Sequence, residues 1–410
     1  MTTETIRKIL TREFVLGFFS QFAFISVFYI LIPTLPIYLL KSGCKEAEIG
    51  VLVGIFFVSA LILRPFVGRA LLRIPEKIFM IAGAVLFSLT SVAYLWAPPF
   101  WPLLVVRGFQ GIGLAFFHTA SFTLIANISP EAHLGQSLSY FFLAPNIALA
   151  LIPSLGMFLI NRFNFTFLFL TCLSLSLCAL LITLNLKTRI VASPEAPSLP
   201  KDSLFSRKAI PPSAVNFLNF VMWGALTAFF PLYALQHGVT NSGIFFSVIA
   251  IMFFLGRAFA GRILDLHSRD RVIPLLLVST LVAMVILAFS KNLGMFILVA
   301  VLWGIGNALL TPAILTYVLD RVGSSKAPAV GMYLLLSDLG LGLGPVISGI
   351  LIRLSSYPVM FLCLAFIGVI NLIYFLFFVR KKEASIQGFR RTLATNLTGK
   401  KGEKVWEKRR

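Results

Sequence analysis

Residues 64–69 read Arg64-Pro-Phe-Val-Gly68-Arg69, and residues 257–262 read Arg257-Ala-Phe-Ala-Gly261-Arg262. The same offset, 193 to 195 residues, relates Pro36-Ile-Tyr38 and its following Gly43 to Pro231-Leu-Tyr233 and Gly238, and relates Gly111-Ile-Gly113 to Gly304-Ile-Gly306. Matches that recur in one order at one spacing describe a chain built twice. Each copy is embedded in apolar sequence, so what is repeated is a set of membrane helices. Internal repeats of this kind mark transporters, whose substrate site lies at the repeat interface near mid-membrane.

Composition agrees. The 410 residues are 58% hydrophobic and 12% charged, with a mean hydropathy of +0.94. A soluble domain is ~45–50% apolar and ~25% charged, so a water-soluble enzyme, a disordered chain and a disulfide scaffold are excluded. A bilayer core takes ~20 mainly apolar residues per helix. Such runs fall near 14–40, 49–72, 78–97, 100–126, 136–160, 165–186, 210–235, 244–264, 272–290, 293–318, 329–352 and 357–379. The expected fold is an all-α polytopic membrane protein with twelve transmembrane helices in two pseudo-symmetric six-helix bundles. Its expected parts are an amino-terminal bundle over 1–186, a linker over 187–209, a carboxy-terminal bundle over 210–379 and a basic tail over 380–410. The linker carries Pro194, Pro197 and Pro200 with five basic residues. Phe14 to Leu40 is far longer than the ~7–15-residue core of a signal peptide and has no small-residue cleavage site, so it reads as a retained span. Cys44, Cys172, Cys178 and Cys363 show no metal or redox spacing and read as packing residues.

The net charge of +20 takes its meaning from position. Basic loops stay on the cytoplasmic side. With both termini inside, that side holds Arg7, Lys8, Arg12, Arg69, Arg73, Lys77, Arg262, Arg269, Arg271, Arg321, Lys326, the linker and the tail. The other side holds Lys41, Lys45, Arg162, Lys291 and Arg353. The excess charge therefore sets orientation in a cell inner membrane. The tail after Val379 reads either as a solvated segment that only helps set this orientation or as a surface attracted to anionic lipid, worth ~1 kcal/mol per basic residue near the membrane. Nucleic-acid binding is not indicated, because the basic stretches lack aromatic interleaving and any module signature.

At these motifs the sequence resembles the major facilitator superfamily, over nearly the whole chain. That family's loop after helix 2 reads Gly-x-x-x-Asp-Arg/Lys-x-Gly. The first copy here keeps Gly68, Arg73 and Lys77 but has Leu72 and Pro75 at the Asp and second Gly; the second keeps Gly261 and Asp265, with Ser268 at the second Gly. Helix 4 carries Arg107-Gly-Phe-Gln110-Gly111-Ile-Gly113, similar to the pattern of proton-coupled exporters. Helix 5 keeps Pro153-Ser-Leu-Gly156 and helix 11 has Gly340-Leu-Gly-Leu-Gly344-Pro345-Val-Ile-Ser348-Gly349, similar to the antiporter glycine-proline motif. The resemblance implies alternating access, a small-molecule substrate, protons as the coupling ion and a monomer.

Charge inside a membrane costs a few kcal/mol or more and needs a partner or a task. Arg64, Arg107, Arg257 and Asp338 are the candidates. Arg64 and Asp338 each lie eight residues from the inner ends of helices 2 and 11, hence ~12 Å deep at 1.5 Å per residue. The family places those helices on one seam, so the two side chains are expected to face each other, as a latch or as a proton site. Arg257 takes the symmetric place in helix 8, with Tyr140 or Asn146 as expected partners. The resemblance makes Asp265 a cap on a neighbouring helix's amino end, and Gly68 and Gly261 gating glycines. Arg107 has no acidic residue one turn away, so an anionic ligand group, a helix-1 polar group, water or backbone carbonyls must satisfy it. The family lines its cavity with helices 1, 4, 7 and 10. The repeat aligns Gln21 with Asn216 and His118 with Thr311, and Asn219, Trp223 and Asn307 join them as expected cavity residues.

No Ser-His-Asp order, HExxH or paired-carboxylate site is visible, and the glycine pairs lie inside apolar helices without a preceding strand or Gly-Lys-Ser/Thr. Neither an enzyme nor a bound cofactor or metal is expected. The reading is proton-coupled export of a small organic molecule, with import of an organic anion, lipid flipping and a non-transporting scaffold as alternatives.

Overall fold

The computed structural model describes residues 9–98, 100–130, 133–187, 207–266, 269–322 and 326–380. Within these, the side chains of 135, 257–266, 321–322 and 326–328 are not described. The expectations for Arg257, Gly261, Arg262, Asp265, the middle of the linker and the tail after Arg380 therefore lie outside the described residues.

The described residues are helical throughout, with no strand. In chain order the helices are α1 Arg12–Lys41, α2 Glu46–Ala70, α3 Glu76–Ala93, α4 Trp101–Ile128, α5 in two segments Leu134–Phe141 and Leu143–Arg162, and α6 Phe165–Leu184. Then come α7 Ile210–Gln236, α8 Gly243–Leu266, α9 Arg269–Phe289, α10 Leu293–Val322, α11 Lys326–Leu354 and α12 Tyr357–Tyr374, which widens into a π-helical turn over Phe375–Arg380. Eleven of these are long and apolar enough to cross a bilayer; α8 contributes the shorter apolar stretch Gly243–Gly256. In lipid every backbone N–H and C=O must be satisfied within the segment, which leaves the helix as the open-chain solution. The interruption of α5 at Phe142 departs from the continuous run expected. Pro145 has no N–H to return to the carbonyl one turn back, so the ladder loosens there.

The repeat has a local structural meaning. Gly43 (φ +88°) follows α1 and Gly238 (φ +76°) follows α7. In both places the next amide reaches back five residues, Cys44 N–H to Leu39 O at 3.0 Å and Val239 N–H to Ala234 O at 3.0 Å. That is the Schellman ending, which needs a left-handed residue, most cheaply glycine.

The first six helices pack among themselves, chiefly α1 on α5 and α6, α3 on α4 and α6, and α2 on α4. The later helices do likewise, chiefly α7 on α11, α8 and α9 on α10, and α9 on α12. The two sequence halves meet along α2–α11, α5–α8 and α1–α7. At the end carrying the α1–α2 and α7–α8 turns these seams are tight. A Cβ added to Gly54 would lie 2.5 Å from Gly342 O, one on Gly349 2.5 Å from Glu46 O, and one on Gly50 would strike Pro345 O. On α5–α8, Ser154 and Ser247 share a hydroxyl hydrogen bond of 3.0 Å, and Asn161 Nδ2 donates to Thr240 O at 2.9 Å. Toward the other end Gly68 and Gly331 have nothing within 4 Å. The seams are thus closely packed at the end carrying the α1–α2 and α7–α8 turns, and at the other end Gly68 and Gly331 leave room around their backbones.

A central cavity walled by aromatics and one ion pair

Between the halves lies a cavity of about 200 Å³ lined from α1 (Ile25, Phe28, Tyr29, Ile32), α2 (Phe57, Arg64), α4 (Leu114, His118), α5 (Leu149), α7 (Trp223, Thr227), α8 (Phe253) and α11 (Asp338, Leu341). Most of this wall is apolar, as expected of helices whose other faces meet lipid. Its formal charges are Arg64 and Asp338.

Arg64 Nη1 donates to Asp338 Oδ2, an ion pair joining α2 to α11 across the halves. The side chains are 27% and 11% exposed, so the pair opens onto the cavity. Arg64 Nε is buried without a hydrogen-bond partner, so the guanidinium is anchored at one nitrogen only. Desolvating two charges costs several kcal/mol each, which their attraction offsets only while they stay together.

Arg107, 4% exposed, is satisfied inside the first half. Its Nε donates to Leu52 O at 3.0 Å, its Nη1 to Gln110 Oε1 at 2.7 Å, and its guanidinium lies 4.4 Å from the Phe56 ring centre. Tyr94 OH donates to the same Gln110 oxygen at 2.8 Å. The partners are thus a backbone carbonyl of α2 and an amide one turn along α4; no helix-1 polar group is used. Gln110 stands at i+3, where helix geometry makes side chains neighbours, and that spacing could have identified it. Arg107 also reaches a small hollow with Phe28, Ile32, Phe57 and Thr227, residues shared with the larger cavity.

Of the other expected cavity residues, His118 and Trp223 line the cavity; the His118 ring packs on Phe122 at 4.8 Å and Trp223 stacks near Trp303 at 6.3 Å. The remainder are held in contacts between helices. Gln21 Oε1 accepts from Ser121 Oγ at 2.8 Å, tying α1 to α4. Asn216 Nδ2 donates to Ser337 Oγ at 2.6 Å, and Asn219 Nδ2 to Asn307 Oδ1 at 2.6 Å, tying α7 to α11 and α10. Thr311 offers its carbonyl to Tyr333 OH at 3.1 Å. Depth along the helix was legible for all of these; the direction in which each side chain points was not.

Sequence reasoning passed over Tyr29 and Thr227, which line the cavity, and Glu76, a buried carboxylate at the start of α3 that accepts from Asn127 Nδ2 of α4. Beside it Lys77 Nζ donates to Leu184 O and Leu186 O at 2.8 and 2.7 Å, a cation on the carboxyl end of α6 where the helix dipole favours it. Among the described residues no cluster of three or more His, Cys, Asp or Glu is placed to hold a metal.

The family model for the Major Facilitator Superfamily matches residues 17–265 and 213–408. The chain belongs to the major facilitator superfamily. It is therefore a multi-pass membrane transporter and not an enzyme. It is similar to the quinolone resistance protein NorA of Staphylococcus aureus (strain COL), 23% identical over 369 residues that cover 83% of this chain and 90% of that one. It is likewise similar to the staphylopine export protein of Staphylococcus aureus (strain Mu50 / ATCC 700699), 24% identical over 385 residues, 87% of this chain and 92% of that one. The fold matches the crystal structure of the nucleoside transporter NupG with a TM-score of 0.75 at 14% identity, covering 89% of this chain and 98% of that one.

Proposed function

We propose that this transporter exports a small organic molecule in exchange for protons by alternating access. Two six-helix bundles, residues 1–186 and 210–379, would rock about the cavity as a monomer, with the linker 187–209, the tail 380–410 and both termini in the cytoplasm. The observation that carries the reading is the Arg64–Asp338 pair. It sits on the cavity wall, it joins the two halves, and Asp338 is a carboxylate deep in a span. A proton on Asp338 removes the attraction that holds α2 to α11, so proton and closed seam are linked equilibria. The two staphylococcal relatives are named for quinolone resistance and staphylopine export, which supports the outward direction. Arg107 and the cavity residues His118 and Trp223 would meet substrate. Gln21, Asn216, Asn219, Asn307 and Thr311 would hold the helices that shape the site. Arg257, Asp265, Gly68 and Gly261 would serve the gating motion.

The test is substrate-screened flux in proteoliposomes under an imposed pH gradient. Gradient-driven flux that disappears in Asp338→Asn supports the reading. Flux indifferent to the gradient removes proton coupling, and net uptake or movement of labelled lipid reassigns the chain as an importer or flippase.

A further inference from the structure

Among the described lining residues the cavity wall carries one cationic and one anionic side chain, Arg64 and Asp338, side by side in a mostly apolar lining that also includes Tyr29, His118 and Thr227. From this we infer that the substrate is a compact zwitterion, with a cationic nitrogen and a carboxylate close together on an apolar body. The inference rests on the transporter reading and deepens it.

Each class of ligand leaves the pair in a different state. A neutral ligand offers Arg64 and Asp338 nothing better than each other, so the pair persists and α2 stays tied to α11. An anion that pairs with Arg64 orphans Asp338, and a cation that pairs with Asp338 orphans Arg64. An unpaired charge on this partly exposed wall still costs a share of its desolvation. While Asp338 is ionised, only a zwitterion satisfies both at once, carboxylate on Arg64 and ammonium on Asp338. Because the two residues belong to opposite halves, this exchange replaces a direct link between the halves with one through the ligand. Arg64 is anchored to Asp338 through Nη1, so exchanging Asp338 for a ligand carboxylate replaces that one hydrogen bond. Phe28, Phe57 and Trp223 supply the wall for the apolar body. At about 200 Å³ the space lies below the ~300–1,000 Å³ of drug-sized pockets, which fits a small metabolite.

The test uses two matched sets of probes on the purified full-length protein. Phenylalanine is compared with 3-phenylpropionate and phenethylamine, and leucine with 4-methylpentanoate and 3-methylbutylamine, by ligand-dependent shift of the thermal unfolding midpoint. The zwitterion of each set is expected to bind about tenfold tighter or more than its singly charged relatives, the factor that one orphaned charge imposes. Asp338→Asn should turn the preference toward the acids, and Arg64→Gln toward the amines. Equal binding within a set, no stabilisation by either amino acid, or variants that keep the wild-type ranking would overturn the inference. The wild-type ranking needs no variant, so a misfolded substitution leaves the test standing. Gradient-driven flux without charge-class preference refutes this inference alone; zwitterion binding without gradient-driven flux refutes proton-coupled export alone.

Discussion

Arg64 of α2 and Asp338 of α11, 274 residues apart in the chain, form an ion pair on the wall of the central cavity. Removing either partner strands the other. Because Arg64 is 27% exposed, water moderates the penalty, and Arg64→Gln or Asp338→Asn is expected to cost about 1–3 kcal/mol, below the range for a fully dry pair. The double variant should cost less than the sum of the two. Thermal unfolding of all four proteins in detergent gives the coupling; strict additivity would show that the pair contributes no mutual stabilisation.

The closely packed end of the seams depends on glycines that leave no room for a Cβ. In Gly54→Leu the new side chain meets the Gly342 carbonyl and must push α11 away. Ala47, which lies against Gly349 at the same seam, then becomes accessible. With the native cysteines replaced by serine, Ala47→Cys should react faster with an impermeant maleimide when Gly54→Leu is present. An unchanged rate would mean that backbone contact at Gly54 does not hold this face shut.

Arg107 binds its surroundings through a planar fork and a ring contact. Lysine keeps the charge but can neither bridge Gln110 and Leu52 O with that geometry nor stack on Phe56. Arg107→Lys is expected to lose about 1–3 kcal/mol of stability, and Gln110→Leu to lose a comparable amount by orphaning the guanidinium. Unfolding midpoints check both; a lysine variant as stable as wild type would show that charge alone suffices.

The Asn219–Asn307 bond should matter little to stability. Interhelical hydrogen bonds in membranes average about 0.6 kcal/mol and reach about 1.7, so Asn219→Ala is expected to fall within that range with the fold intact. A loss well above it would identify a larger polar network than the described contacts show.

Cys44 occupies the turn between α1 and α2, where it is buried. Burial first, and then the neighbouring Glu48 carboxylate, push its thiol above the ordinary value, against a smaller opposing effect of the Phe100 backbone. A raised folded-state value means that the fold favours the neutral thiol. The corresponding stability is present below the unfolded value of about 8.5 and is lost as pH rises through the folded one. With the other three cysteines replaced by serine, alkylation by iodoacetamide, which needs the thiolate, should be slower in the native protein than in denaturant from about pH 7 to 9. Equal rates would contradict a buried neutral thiol.

Much of the fold was legible because lipid narrows the choices. A backbone that finds no water must satisfy itself, so each long apolar run has one solution, and the expected spans coincide with the helices to within a few residues. The glycines at 43 and 238 were legible as repeat markers, and their left-handed φ explains why they recur. Depth was legible too. A rise of about 1.5 Å per residue set Arg64 and Asp338 at one level, where the structure pairs them.

Rotation about the helix axis was not legible in the same way. Gln21, Asn216, Asn219 and Asn307 stand on helices that reach the centre, yet each turns its amide to a neighbouring helix. Arg107, deep in α4, found its partners within its own half.

The sequence by itself therefore determined where the long apolar helices lie, that their motifs recur in two parts of the chain, and that Arg64 and Asp338 stand at one level, since hydropathy and rise per residue are local quantities. The tertiary structure alone decided which polar groups face the cavity and which face one another. That depends on how helices distant in sequence pack, and on the rule that a polar atom in a dry interior takes whatever partner the packing brings within reach.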